Sequence, residues 1–188
     1  MKIESEKIQF KNINENISQI YHDGKILQFW SPVLKAPYGI DEKFGKFLLQ
    51  LELHENSTQH KHLKKIIENI ENIIIKRLNL EDNEIKHIFR RQIGTNDLME
   101  TKMKQMKDRI ITEVEFENKK DSYLKTIYDL DKNSYVKVYL EIGGIWDYRE
   151  EGKREDHKVG LLLNVLKIKV LDINKIESAE EINKNYKE

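Results

Sequence analysis

An α+β fold made mostly of strands is what this sequence predicts, and three observations carry the expectation. Segments of alternating polarity come first, a single long stretch of helical period from Ser57 to Leu80 interrupts them, and more strands follow, closing with two long apolar ones. Strands and helices do not alternate in the chain, so the sheet should be mostly antiparallel.

Taken in order, Lys7 to Ile13 and Ile17 to Tyr21 alternate loosely. His22-Asp23-Gly24-Lys25 has hairpin-turn chemistry, and Ile26 to Trp30 follows as a strand. The only two prolines, Pro32 and Pro37, lie in Phe29-Trp30-Ser31-Pro32-Val33-Leu34-Lys35-Ala36-Pro37-Tyr38-Gly39-Ile40. Proline fixes φ and lacks a donor, so this segment should leave the strand and run as a stiff, extended connection. Lys46 to Leu53 alternates cleanly and should bury Phe47, Leu49, Leu51 and Leu53.

Leu63, Ile66, Ile67, Ile70, Ile73 and Ile74 then recur at three and four, with Ser57 or Thr58 as cap. That is one amphipathic helix whose apolar stripe is read as core. Ile85 to Arg90 is a short strand, Gly94 to Lys107 a loop of weak helical character, and Arg109 to Glu117 a strand with Ile110, Thr112, Val114 and Phe116 opposite Ile111, Glu113, Glu115 and Glu117. Tyr123 to Tyr128, Ser134 to Trp146 and Lys158 to Leu171 are the remaining strands; in the last, Lys167 and Lys169 should share a face with Val165 and Leu171, opposite Leu166, Ile168 and Val170. Turns are expected over Asn118 to Asp121, Asp129 to Asn133 and Arg149 to Asp156. Five or more curved strands with one long inserted amphipathic helix fit a small Greek-key barrel, the OB-fold being its common nucleic-acid-binding form. One such domain should span residues 1–174, with the helix at about 57–80 and a polar tail over 175–188.

Composition narrows the class. Charged residues make up 35% and hydrophobic ones 38%; no apolar run reaches membrane-spanning length, and the N-terminal residues lack the core of a signal peptide, so an intracellular, soluble protein is expected. Absence of cysteine excludes disulfides, thiolate metal sites and cysteine nucleophiles. Heavy use of Ile, Lys and Asn fits AT-rich coding. The net charge is zero, so phosphate binding requires segregated charge. Residues Glu84 to Lys107 carry six basic and three acidic side chains, whereas Asp172 to Glu188 carry five acidic and three basic ones.

Two stretches have the chemistry of a nucleic-acid strand's partner. The proline segment presents rigid aromatics beside a lysine. In Ser134-Tyr135-Val136-Lys137-Val138-Tyr139-Leu140 the valines and leucine face the core, which leaves Tyr135, Lys137 and Tyr139 together on the other side, about 7 Å apart at alternate residues. Two rings and a cation can stack bases and neutralise a phosphate; tyrosines can equally just cover a sheet. Gly143-Gly144 is read as a bulge or barrel bend and Trp146 as core.

Enzyme signatures are weak. Gly143-Gly144 lacks the spacing and lysine of a phosphate loop, His60 and His62 point to different sides of a helix, Asp129-Leu130-Asp131 is read as a solvated turn, and no Ser/His/Asp set has local support. Neither a catalytic residue, a metal nor a cofactor is expected.

Phe29-x-Ser31-Pro32 with Ala36-Pro37-Tyr38-Gly39-Ile40, the Phe47 to Leu53 strand, a helix, and a late strand ending Gly143-Gly144-Ile145-Trp146 resemble the OB-fold single-stranded DNA-binding proteins of large eukaryotic double-stranded DNA viruses, themselves similar to phage replication proteins of that kind. The resemblance covers roughly residues 7–171 and implies non-enzymatic, largely sequence-independent single-stranded DNA binding in viral replication, recombination or repair, in the host cytoplasm or nucleus. Replication proteins and a second copy of the chain are further candidate partners; a membrane is not. The phage proteins end in a strongly acidic tail that closes on an aromatic; here Ala179 to Glu188 is only mildly acidic, which leaves tail-mediated recruitment without support.

The expected stacking residues are Trp30, Tyr38, Tyr135 and Tyr139, with Phe44 a further one, and the expected phosphate partners are Lys35, Lys46, Lys137 and Arg149. The row Glu113, Glu115, Glu117 has to face away from any DNA path. A protein-interaction or virion-structural module without nucleic-acid affinity is the alternative, and a metal-dependent nuclease a third.

Overall fold

The computed structural model describes residues 4–43, 45–91, 96–107, 109–117, 126–149 and 159–172. Its strands are β1 (Ile8–Asn14), β2 (Ile17–His22), β3 (Lys25–Ile26), β4 (Gln28–Trp30), β5 (Leu34–Ala36), β6 (Ile40–Lys43) and β7 (Lys46–His54). Then come the helix α1 (Thr58–Leu78) and the strands β8 (Ile85–Lys86), β9 (Phe89–Arg91), β10 (Asn96–Met103), β11 (Gln105–Met106), β12 (Arg109–Ile110), β13 (Glu113–Phe116), β14 (Ser134–Asp147) and β15 (Val159–Val170). Five of them close a barrel, in the ring order β5-β7-β10-β15-β14 and back to β5. Numbered along the chain the ring runs first, second, third, fifth, fourth, and its one parallel seam joins β10 to β15. This is an OB-like arrangement.

Local chemistry accounts for the joints. Asp23 and Gly24 both take positive φ, 53° and 74°, as a two-residue hairpin between β2 and β3 demands. Ser57 caps α1 by accepting from His60 N, and Asn79 ends it in the left-handed region at φ 49°. Leu63, Ile66, Ile67, Ile70 and Ile74 are buried in the same core as Leu49, Leu51, Val136, Val138 and Leu140.

Two bulges bend the longest pair. Opposite β14, Leu166 is the extra residue between the Tyr139–Lys167 and Leu140–Val165 pairs, and on β14 Gly143 is extra between Ile142 and Gly144. Gly144 has φ 147°, and a Cβ there would run into the Ser18 carbonyl of β2. The expected glycine bend is therefore real, and it seats the β1–β2 hairpin against β14.

Several expectations need correction. Residues 96–103 form a barrel strand rather than a weakly helical loop: their Met, Glu and Lys residues favour helix, yet Met99, Thr101 and Met103 point inward and pairing with β7 decides the matter. The Leu166 bulge shifts the phase of β15, so Val165 is buried, Leu166 is half-buried, and Ile168 and Val170 are buried on the next register. Of Tyr123 to Tyr128, the described end is a 3-10 turn, Ile127–Asp129. Ile26 to Trp30 splits around buried Leu27, Ile85 to Arg90 splits around buried Ile88, and Arg109 to Glu117 splits at Ile111 and Thr112, where the Thr112 hydroxyl donates to the Val165 carbonyl. The proline connection itself contains β5, a member of the ring. The turns expected over 118–121 and 150–156, and the tail, lie outside the described residues.

Candidate nucleic-acid interface

The two aromatic stretches are hydrogen-bonded neighbours. Tyr139 pairs with Trp30 across β14 and β4, and Tyr135 pairs with Lys35 across β14 and β5. Ser31 makes the junction: it is buried, its N–H donates to the Val138 carbonyl at 2.8 Å, and its hydroxyl oxygen accepts from Val138 N at 3.0 Å. A side chain with an acceptor is needed there, because the buried Val138 N–H takes the Ser31 hydroxyl as its partner.

Side chains of directly paired residues share a sheet face. On the outside of the barrel this produces ordered rows. Trp30, Tyr139 and Lys167 form one, with Glu113 of the edge strand β13 next in line. Lys137, Lys169 and Glu115 form the next, and Lys35 with Tyr135 the one beyond. The Trp30 and Tyr139 rings pack at 5.2 Å between centroids with a 42° tilt, and Trp30 remains 48% exposed. Tyr135 lies down on Val33 and Leu171, a small apolar patch separate from the main core.

Glu113 and Glu115 therefore stand on the same face as the lysines, which corrects the requirement that this row point away. Glu113 accepts from Lys167 Nζ at 2.6 Å, and that hydrogen bond, helped by the carboxylate's charge, raises the Lys167 pKa above its ordinary value. Along the Trp30 row the order is thus aromatic, basic, acidic, and along the Lys137 row basic, then acidic.

The other proposed residues are dispersed. Tyr38 is 46% exposed in the turn after β5, continuing past the Tyr135 end of the face, where Gly39 packs on the Leu130 carbonyl at φ 67°. Lys46 opens β7 opposite Lys43, outside these rows. Arg149 chelates Asp147, at 2.7 Å at its shortest, and reaches the Leu78 carbonyl at the end of α1 at 3.3 Å. Burial works to raise the Asp147 pKa, but the hydrogen bonds and charge of Arg149 outweigh it and hold the carboxyl below its ordinary value. Phe44 lies outside the described residues.

Sequence reasoning missed a polar row beside the rings. Gln28, Glu141 and Asn164 pair across β4, β14 and β15, one alternate position along from Trp30, Tyr139 and Lys167. Glu141 is 6% exposed and accepts from Gln28 Nε2 at 2.8 Å, Lys104 Nζ at 3.2 Å and Asn164 Nδ2 at 3.3 Å. A lone carboxylate in Leu140-Glu141-Ile142 and a lone amide in Leu163-Asn164-Val165 were its legible signals.

Among the described residues no group of three or more His, Asp or Glu side chains is placed to hold a metal ion. A cleft of about 320 Å³ lies by the start of α1 and is lined by residues that include His54, His60, Lys61, Lys64 and Asp97. Lys64 is ion-paired to Asp97 there, and His60 spends both ring nitrogens, accepting from His54 N at 2.9 Å and donating to the Val33 carbonyl at 2.8 Å. No described helix is long and apolar enough to cross a membrane.

Among solved structures the chain is similar to gp2.5, a single-stranded DNA binding protein encoded by bacteriophage T7, with a TM-score of 0.51 at 11% identity over 87% of this chain and 96% of that one. At such identity the likeness concerns the fold. No family model and no curated protein matches the chain.

Proposed function

We propose that this protein is a non-enzymatic single-stranded DNA-binding protein whose strand runs along the outer face of β4, β14 and β15. The observation that supports this most is the ladder joining Trp30 to Tyr139 and Lys35 to Tyr135, which sets rings and cations from distant parts of the chain side by side. Bases stack on Trp30 and Tyr139, while Lys35, Lys137, Lys167 and Lys169 meet phosphates. Tyr38 extends the track at one end. The similarity of the barrel to a phage protein of this activity is in keeping with the reading. By the same reading the protein coats strands exposed in replication, recombination or repair of a large DNA virus, at the viral replication site or in the nucleus of the host, alongside replication proteins and further copies of itself.

Titration of intrinsic fluorescence with oligo-dT tests the proposal. Quenching should be strong and should vanish in Trp30→Phe, and log K should fall against log salt by about 0.7 for each phosphate neutralised. Binding indifferent to salt, or no tighter to a single strand than to a duplex, overturns it; light scattering that finds assembly with no oligonucleotide affinity would favour the interaction-module alternative.

A further inference from the structure

Resting on the proposed strand-binding face, we infer that the Gln28 amide reads the edge of the base stacked against Trp30 and Tyr139, and that adenine is the base it accepts. Tyr139 and Gln28 are joined, the phenol donating to Gln28 Oε1 at 3.4 Å, while Gln28 Nε2 donates to Glu141 at 2.8 Å. The orientation of the amide follows from chemistry. A carboxylate that also receives Lys104 takes donors, so Nε2 turns to Glu141 and Oε1 to the tyrosine.

This is an expensive arrangement for a structural role alone. Glu141 sits on the outward side of β14 yet is buried, and a desolvated carboxylate is tolerated only with its lone pairs satisfied. Donors converge on it from β4, from β15 and from Lys104 beyond β10. Gly143 makes the room: a Cβ there would collide with Asn164 Nδ2, the group that reaches Glu141. What the network holds in place at the surface beside the rings is Gln28, an exposed residue.

With one N–H given to Glu141 and one lone pair to Tyr139, the amide retains a second N–H and a second lone pair side by side, next to an exposed indole. That pairing complements N7 and the N6 amino group of adenine, and a purine also offers the larger face for stacking. Sequence tolerance elsewhere on the face is unaffected, because stacking and phosphate contacts do not depend on base identity.

The experiment compares the wild-type protein on oligo-dA, oligo-dT and oligo-dA built from 7-deaza-adenine, which lacks only the N7 acceptor, and repeats the series with Gln28→Met. Oligo-dA should bind roughly tenfold tighter than its 7-deaza counterpart, with the two converging in the variant. Equal wild-type affinity for both dA oligomers overturns the inference while leaving strand binding intact, and so does a ratio that persists in Gln28→Met or a preference for dT. Failure to bind any of the three removes both this inference and the proposed function.

Discussion

The two tryptophans of this chain were assigned to opposite tasks by the strands that carry them. Trp146, near the end of β14, is 8% exposed and fills the space over Gly160 of β15, where any Cβ would meet its indole. Trp30, at the end of β4, is 48% exposed and packs only one side of its ring against Tyr139. Charged groups divide in the same way. Near the helix, Arg149 is locked to Asp147, Lys64 to Asp97, and Glu71 accepts from Ile88 N, so titratable side chains are spent on holding elements together. Glu100 belongs there too: burial would raise its pKa, but Lys86, Arg90 and Lys102 prevail and lower it. On the outer face the same residue types are ranked in parallel rows of rings, lysines and glutamates. Identity of the residue says little; the neighbour across the ladder decides its work.

Substitution at the two indoles tests that contrast most severely. Trp146→Ala should lower stability by about 3–5 kcal/mol in denaturant unfolding, with oligonucleotide affinity of the folded protein preserved. Trp30→Ala or Tyr139→Ala should do the reverse, costing about 1–3 kcal/mol of strand affinity while unfolding shifts by within about 0.5 kcal/mol. A Trp30→Ala protein as unstable as Trp146→Ala, and unimpaired in binding, would break the comparison.

Acid should sharpen it. Burial lowers the His60 pKa, opposed by its bond to Val33 and abetted by nearby His54, so the folded chain resists protonation that the unfolded chain accepts near pH 6.5. Stability contributed by neutral His60 is complete above about pH 6.5 and is lost progressively as pH falls toward the lowered folded value. Thermal melts should therefore fall between pH 8 and pH 5, less so for His60→Gln. The smallest effect belongs to the outer edge: Glu113→Gln should leave the melting temperature unchanged and raise strand affinity by about twofold, as Lys167 is released to phosphate. A loss of affinity there would mean the acidic row helps rather than competes.

Much of the fold could be read directly. Period distinguished α1 from the strands, the Asp23-Gly24 pair announced its hairpin, and alternation in β7, β13 and the first half of β14 named the buried faces. What escaped was non-local. β10 is a strand because β7 and β15 flank it, against its own propensity, and the Leu166 bulge that brings Lys167 level with Tyr139 has no glycine or proline to betray it. For the site, Trp30, Tyr135, Tyr139, Lys35 and Lys137 were legible as ring and cation types, and the ladder brings them together. Arg149 has the right chemistry in a place where Asp147 claims it, and the Gln28–Glu141–Asn164 row is a product of register alone.

The ring is not joined evenly. β14 and β15 share a long ladder and carry β4 and β5, and β7 and β10 share another and carry β6 and β9. Among the described residues a single ladder pair, Lys35–Glu52, joins β5 to β7, and two, Lys102–Asn164 and Met103–Val165, join β10 to β15, with Lys104 N donating to the Val165 carbonyl just beyond. The barrel is thus two half-shells stitched along two short hems, and breathing should begin at the hems, where amide exchange will be fastest. Rings and lysines of the outer face all ride on one half-shell, so they keep their mutual spacing even while the vessel beneath them loosens.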